Sequence, residues 1–180
     1  MRWIVYVVAA LAVIVLIVVI VGAMLPKAHT ASRTARIAAP PEAIYAVLTD
    51  VGRYAEWRAG LKSLERLPDK QGMPAWIEDT DGMKIPMRFE RMSPPHLLVA
   101  RIDSTELPFG GTWTYRIESL PGGQSALTIT EDGEVGNVLF RFMSRFVFGH
   151  HATMDKFIRS LQEKTGSRED GKGAGSFKLF

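Results

Sequence analysis

From Ile4 to Leu25 the chain carries no charge and consists almost entirely of Val, Ile, Leu and Ala. A helix of that length, rising about 1.5 Å per residue, crosses a hydrocarbon core of about 30 Å. Trp3 and Tyr6 lie near one end, where amphipathic rings favour the membrane interface, and Pro26 with Lys27 closes the other. A cleaved secretory signal has a shorter apolar core, about 7 to 15 residues, followed by a small-x-small cleavage site. The segment is too long for that, and Gly22-Ala23 and Ala28 to Ala31 match such a site poorly. The pattern therefore predicts a retained transmembrane anchor over residues 1–27 and a short linker over 28–31.

Beyond the linker the periodicity changes. Residues 32–38 (SRTARIA) alternate as a short strand, which Pro40-Pro41 stops. Pro41 suits the first turn of a helix, and Ile44, Val47 and Leu48 fall on one helical face. Asp50 is placed to cap a second short helix, VGRYAEW. Six strands are then expected: GLKSLERL, MPAWIEDT, MKIPMRFERM, HLLVARIDS, GTWTYRIES and SALTITEDG. Asp81-Gly82, Pro94-Pro95, Gly110-Gly111 and Gly122-Gly123 mark turns between them. Ile85, Met87 and Phe89 alternate with Lys84, Arg88 and Glu90, and Trp113, Tyr115 and Ile117 with Thr112, Thr114 and Arg116, so one face is apolar and one wet.

Such a sheet needs a cover. Residues 137–164 supply a helical pattern, opened by Asn137 as a cap, in which Leu139, Phe142, Met143, Phe146, His150, Met154, Phe157 and Leu161 form one stripe. Arg141, Ser144, Arg145, Lys156 and Gln162 or Glu163 fall on the opposite, solvated side. After Thr165 the chain lacks the apolar content to order itself, and residues 165–180 are expected to be a disordered tail. The order of elements gives an α+β domain over 32–164.

Net charge is +3, but the excess lies in the anchor flanks and the tail, and the body between them is formally neutral. That argues against nucleic acid as a partner, whose binding requires concentrated Lys and Arg. The chain has no cysteine, which excludes disulfides, thiolate metal sites and cysteine nucleophiles. His29 and His96 stand alone and His150-His151 are adjacent, so no metal-ligand spacing exists, and no cofactor is implied. GxSxG and dinucleotide fingerprints are absent, and the glycines of PFGGTW fit a hairpin better than a phosphate cradle. Lys27, Arg33 and Arg36 outnumber Arg2 across the anchor. This margin leans towards a cytoplasmic domain on a bacterial-type cell membrane without deciding the side.

From about Ser32 to Lys164 the chain resembles the SRPBCC superfamily, the START-related polyketide cyclase/dehydrase proteins. The resemblance rests on APPEAIYAVLTDVGRYAEWR, on GTWTYRIESLPGG with LTITEDGEV, and on NVLFRFMSRFVFGHHATMDKFIRSL, in that order. It implies a helix-grip fold, a curved antiparallel sheet around a long C-terminal helix, with a ligand cavity between them. Family members bind lipids, sterols, polyketides or other apolar molecules, and a minority catalyse reactions on them. They share no universal catalytic motif that could be carried onto these residues.

A cavity in that layout would be lined by Trp76, Met87, Phe89, Trp113, Tyr115, Phe142, Phe146, His150 and Met154. Any one of these side chains also fits ordinary packing. Methionines 83, 87, 92, 143 and 154 add an adaptable surface. His150, on the apolar stripe, and Glu131, continuing the alternation of Leu127 and Ile129, are the acid/base candidates, with no catalytic residue assignable beyond them. Trp57 reads as a structural plug. Three functions follow. The first is a membrane-tethered binding or transfer module for an apolar small molecule, lipid-like or quinone-like, drawn from the bilayer. The second is a cyclase or dehydratase on a polyketide-like substrate. The third is a partner-binding module with a filled core, whose protein partner the sequence does not name.

Overall fold

A computed structural model describes residues 2–80, 82–143 and 152–166. Its first element, helix α1 (Arg2–Met24), is apolar along its length and stands almost wholly exposed. It is long and apolar enough to cross a membrane, a property that membrane spans share with signal sequences.

Strand β1 (Ala28–Ile37) follows almost at once. The expected linker over 28–31 is therefore corrected: these residues already pair with β7, from Ala28 opposite Glu134 to Ile37 opposite Ser125. Alternation starting at Ser32 under-reads the strand because Ala28 and His29 carry little hydrophobic signal. Pro41 opens α2 (Pro41–Thr49), which buries Ile44, Tyr45 and Leu48. A 3₁₀ turn (Val51–Arg53) and a single helical turn, α3 (Tyr54–Trp57), complete the excursion. Asp50 ends α2, but its side chain makes no capping hydrogen bond to the turn that follows.

Strands β2 (Ser63–Lys70), β3 (Met73–Thr80), β4 (Met83–Ser93), β5 (Leu97–Ile102), β6 (Phe109–Leu120) and β7 (Gln124–Val135) form an antiparallel meander. With β1 beside β7, the sheet runs β1-β7-β6-β5-β4-β3-β2. It is a seven-stranded curved antiparallel sheet in an α+β fold. The β2–β3 turn, which the sequence reading missed, is made by Gln71 and Gly72 at φ 55° and 74°. Gly110-Gly111 is not a turn: both lie inside β6, and Gly111 adopts φ 139° opposite Gly133. A Cβ there would lie 2.2 Å from the Asp132 carbonyl oxygen, so the glycine permits a close strand approach.

The closing helical pattern is described in two pieces, α4 (Val138–Met143) and α5 (Ala152–Lys164), and the stretch between them lies outside the described residues. Asn137 does cap α4, its Oδ1 accepting from the amides of Leu139 and Phe140 at 2.9 and 3.1 Å. The single stripe is corrected at two positions, since Leu139 is exposed and Arg141 is buried. The cause is the neighbour of α4, which is α1. Gly22 lies against Val138, where a Cβ would come within 2.4 Å of the Val138 carbonyl oxygen. Arg141 donates to the carbonyl oxygens of Leu25 and Gly136, both at 3.1 Å. A cation at the C-terminal end of α1 satisfies a carbonyl that the helix leaves unpaired and meets the negative end of its dipole.

Helix α5 covers the inner face of the sheet through Met154, Phe157, Ile158 and Leu161. Arg33 of β1 donates to Asp155 at 3.0 Å, and Gln162 donates to the Arg36 carbonyl at 3.1 Å, fastening the helix to the edge strand. The Phe157 ring meets Trp57, Trp113 and Tyr115 with centroids 5.5, 5.8 and 5.6 Å away. Phe157→Ala should therefore cost about 3–5 kcal/mol. Denaturant unfolding of the full chain in mild detergent checks this, and a loss below about 1 kcal/mol would contradict the packing.

Candidate functional site

Strand register places the inner-face side chains in rows. Ala31, Glu131, Trp113, Ala100 and Phe89 follow one another across β1, β7, β6, β5 and β4. The adjacent row runs through Ile129, Tyr115 and Leu98. Burial is graded along the strands. Leu98, Ile117, Leu127 and Ile129 are fully buried, whereas Ile85, Met87, Ile102, Trp113 and Glu131, further along the same face, are half-buried, although Trp76 and Phe89 in the same rows are buried. The grip is filled at one end and incompletely covered at the other.

The expected lining residues divide along that gradient. Trp76 and Phe89 are buried with ring centroids 4.7 Å apart. Tyr115 and, on α5, Met154 are also buried, while Trp113 and Met87 are half-buried against the core. Phe142 is half-buried on α4, the helix beside α1. Phe146 and His150 lie outside the described residues.

Among the described residues, two charged clusters on this face adjoin the aromatic side chains, apart from the Arg33–Asp155 pair that fastens α5. Arg58, just after α3, donates to Glu78 of β3 at 2.5 Å, and the Trp76 indole N–H donates to the same carboxylate oxygen at 3.0 Å. The Arg58 guanidinium also lies 5.1 Å from the ring centroids of both Tyr54 and Phe157. Burial alone would lower its pKa, but the Glu78 charge, with Tyr115 and Tyr54 adding to it, outweighs burial and raises it. The part-buried cation is thus paired and stacked. At the other place, Glu131 lies on the same face as Trp113, and His29 of β1 meets it, Nε2 to Oε1 at 3.3 Å. Gly133 makes room for the imidazole, because a Cβ there would lie 2.3 Å from its Cε1.

Sequence reasoning missed His29, Arg58, Glu78 and Tyr54 as members of the site. Glu78 carried a signal: it shares strand parity with Trp76, and a carboxylate at an apolar position calls for a partner. His29 carried one only if the strand starts at Ala28. Trp57 is half-buried between Tyr54 and Phe157, its ring edge-on to both. A separate depression of about 170 Å³, lined by Ala46, Val47, Asp50, Arg53, Trp57 and Lys164, lies among α2, the 3₁₀ turn and the end of α5. It is not part of the concave face.

A curved antiparallel sheet closed by a C-terminal helix, with aromatic rows facing that helix, defines the START-like class. The chain belongs to the family described as polyketide cyclase/dehydrase and lipid transport, whose model matches residues 28–165, from the first residue of β1 to the residue after α5. Similar solved structures include a START superfamily protein from Mycobacterium smegmatis, at 17% identity over 77% of this chain and 97% of that one, with a TM-score of 0.62. The aromatase/cyclase Zhui from Streptomyces sp. R1128 is 16% identical over 83% and 99% of the two chains, with a TM-score of 0.63. Norcoclaurine synthase from Thalictrum flavum is 10% identical over 78% and 88%, with a TM-score of 0.62. At these identities the likeness concerns the fold. No curated protein matches the chain. Family membership supports ligand binding or cyclase activity and does not choose between them.

Burial raises the phenol pKa of Tyr115, with Arg58 offsetting only part of the shift, and burial likewise raises that of Tyr54, whose hydroxyl donates to the Leu48 carbonyl. Both folded values lie above the unfolded value of about 10. Their contribution to stability is therefore complete below about pH 10 and is lost as pH climbs towards the folded values. In an alkaline titration these two phenols should ionise only as the fold opens, seen as tyrosinate absorbance rising together with loss of near-ultraviolet dichroism. Ionisation of every tyrosine in the intact fold near pH 10 would contradict the burial.

Proposed function

We propose that the protein is a membrane-tethered binding or transfer module that holds an apolar small molecule on the incompletely covered end of the concave face. One observation carries this reading: inward side chains at that end, Met87, Ile102 and Trp113, are half-buried while their neighbours deeper in the grip are fully buried. Apolar surface left partly uncovered on an inner face marks a place where an apolar partner gains by burial. Trp76, Phe89, Tyr115 and Met154 form the wall behind it, with Phe142, Phe146 and His150 assigned to the same lining by sequence. Helix α1 serves as the anchor. Because β1 begins directly after it and α4 packs on it, the domain stays close to the bilayer from which such a ligand would come.

A second reading, a cyclase or dehydratase on a polyketide-like substrate, is favoured by the His29–Glu131 pair and by the family description. A carboxylate and an imidazole in contact can pass a proton to or from a bound substrate.

Both readings meet in one experiment. The full chain, extracted in mild detergent, is incubated with a fluorescent fatty-acid or sterol probe, and the bound molecule is recovered and analysed. Binding that weakens about tenfold or more in Trp113→Ala, with the probe recovered unchanged, is the expected result. A chemically altered probe would favour the enzyme. Absence of any bound apolar molecule, added or co-purifying, would overturn the binding reading.

A further inference from the structure

The half-open end of the concave face is not uniformly apolar. His29 and Glu131, with side chains 22% and 23% exposed, lie there side by side, 3.3 Å apart. Trp113 stands directly across from Glu131 on β6, and Ala31 directly across on β1. In the next row His29 is followed by Gly133 and Gly111, so the floor beside the imidazole is bare backbone. Among the described residues, Arg33 of this face is paired with Asp155, and Arg58 with Glu78.

The position of the pair along the chain also matters. His29 is five residues beyond Met24, where α1 ends, and an extended chain covers at most about 3.6 Å per residue. On the reading of α1 as an anchor, the polar pair therefore sits at the bilayer end of the site, with Trp113, Ile102 and Met87 beside it across the sheet. A molecule entering from the membrane would place its polar head at His29–Glu131 and its apolar body along Trp113, Ile102 and Met87.

The chemistry of the pair restricts that head. A carboxylate accepts hydrogen bonds and repels another anion, and an imidazole donates or accepts according to its tautomer. A hydroxyl can donate to Glu131 and, being uncharged, sits beside either tautomer of His29. A carboxylate head would face Glu131 as a like charge in a partly desolvated place.

We propose that His29 and Glu131 form the head-group subsite of the apolar-ligand site and select an uncharged, hydroxyl-bearing amphiphile over an anionic one. This proposal rests on the binding reading given above, and its test separates the two. Radiolabelled dodecan-1-ol and laurate, equal in chain length, are titrated into the full chain in nonionic detergent micelles at mildly alkaline pH. Blanks with micelles alone correct for partition. Dodecan-1-ol should bind about tenfold or more tightly than laurate, because an unpaired buried polar group or a like charge is penalised. Glu131→Gln should reduce that ratio to about threefold or less, chiefly by admitting laurate. Glu134→Gln, an exposed position on the same strand, should leave it unchanged. Gly133→Ala, which drives a Cβ into the imidazole, should weaken dodecan-1-ol. Equal affinity for the two probes in the natural chain, or a ratio unmoved by Glu131→Gln, would overturn the head-group subsite while leaving the apolar site intact. Binding of neither probe would remove the apolar site itself, and the subsite with it.

Discussion

The ring of Phe157 against Trp57, Trp113 and Tyr115, with the Arg58 guanidinium over its face, joins the closing helix to the sheet. The rest of the architecture depends on that contact. A seven-stranded sheet with one apolar face cannot remain uncovered in water, and α5 is the described amphipathic helix that lies across it. Beneath the described helix the rows of Leu127 and Ile117 are fully buried, while Trp113 is only half-buried. The same contact also explains why a cation is tolerated inside. Desolvating Arg58 is costly, and the Glu78 carboxylate and two aromatic faces offset that cost together, so the loss of any one of them would expose the others to an unbalanced charge.

Much of this was legible in the sequence. Period-two alternation in MKIPMRFERM and GTWTYRIES put Met87, Phe89, Trp113 and Tyr115 on one face, and register then brought them into neighbouring rows. The same alternation left Glu131 open between an inward position and a solvated strand end, and register with Ala31 and Trp113 puts it on the inner face. What escaped detection depends on contacts between distant segments. His29 becomes a site residue only because β1 starts before its hydrophobic pattern does and because Gly133, more than a hundred positions away, leaves space for the ring. Gly110-Gly111 carries a turn signal locally, yet both lie within β6 and Gly111 serves a close strand approach. Arg141 sits on the polar side of its helical pattern and is nonetheless buried, because the carbonyl it serves belongs to Leu25.

The link between α1 and α4 makes the N-terminal helix part of the domain's surroundings instead of a detached leash. Gly22 permits backbone contact with Val138, and Arg141 ties the helix end to the segment that follows β7. Those contacts fall on the same side of the fold as the first residues of β1. If α1 spans a bilayer, the half-covered end of the grip lies near its surface, and an apolar molecule would have a short path between the two. The START-like fold supplies the concavity, helix α1 precedes it, and the His29–Glu131 pair stands at its open end.

Photolabelling tests this account most directly. A bilayer-soluble diazirine probe, irradiated with the full chain in lipid nanodiscs and mapped by mass spectrometry, should mark inward residues of the open end, above all Trp113, Ile102 and Met87, in addition to α1. Excess unlabelled amphiphile should protect those positions while leaving α1 labelled. Labelling confined to α1 and to outward positions such as Thr112 and Thr114, with no protection by competitor, would contradict the claim that the concave face takes its ligand from the membrane.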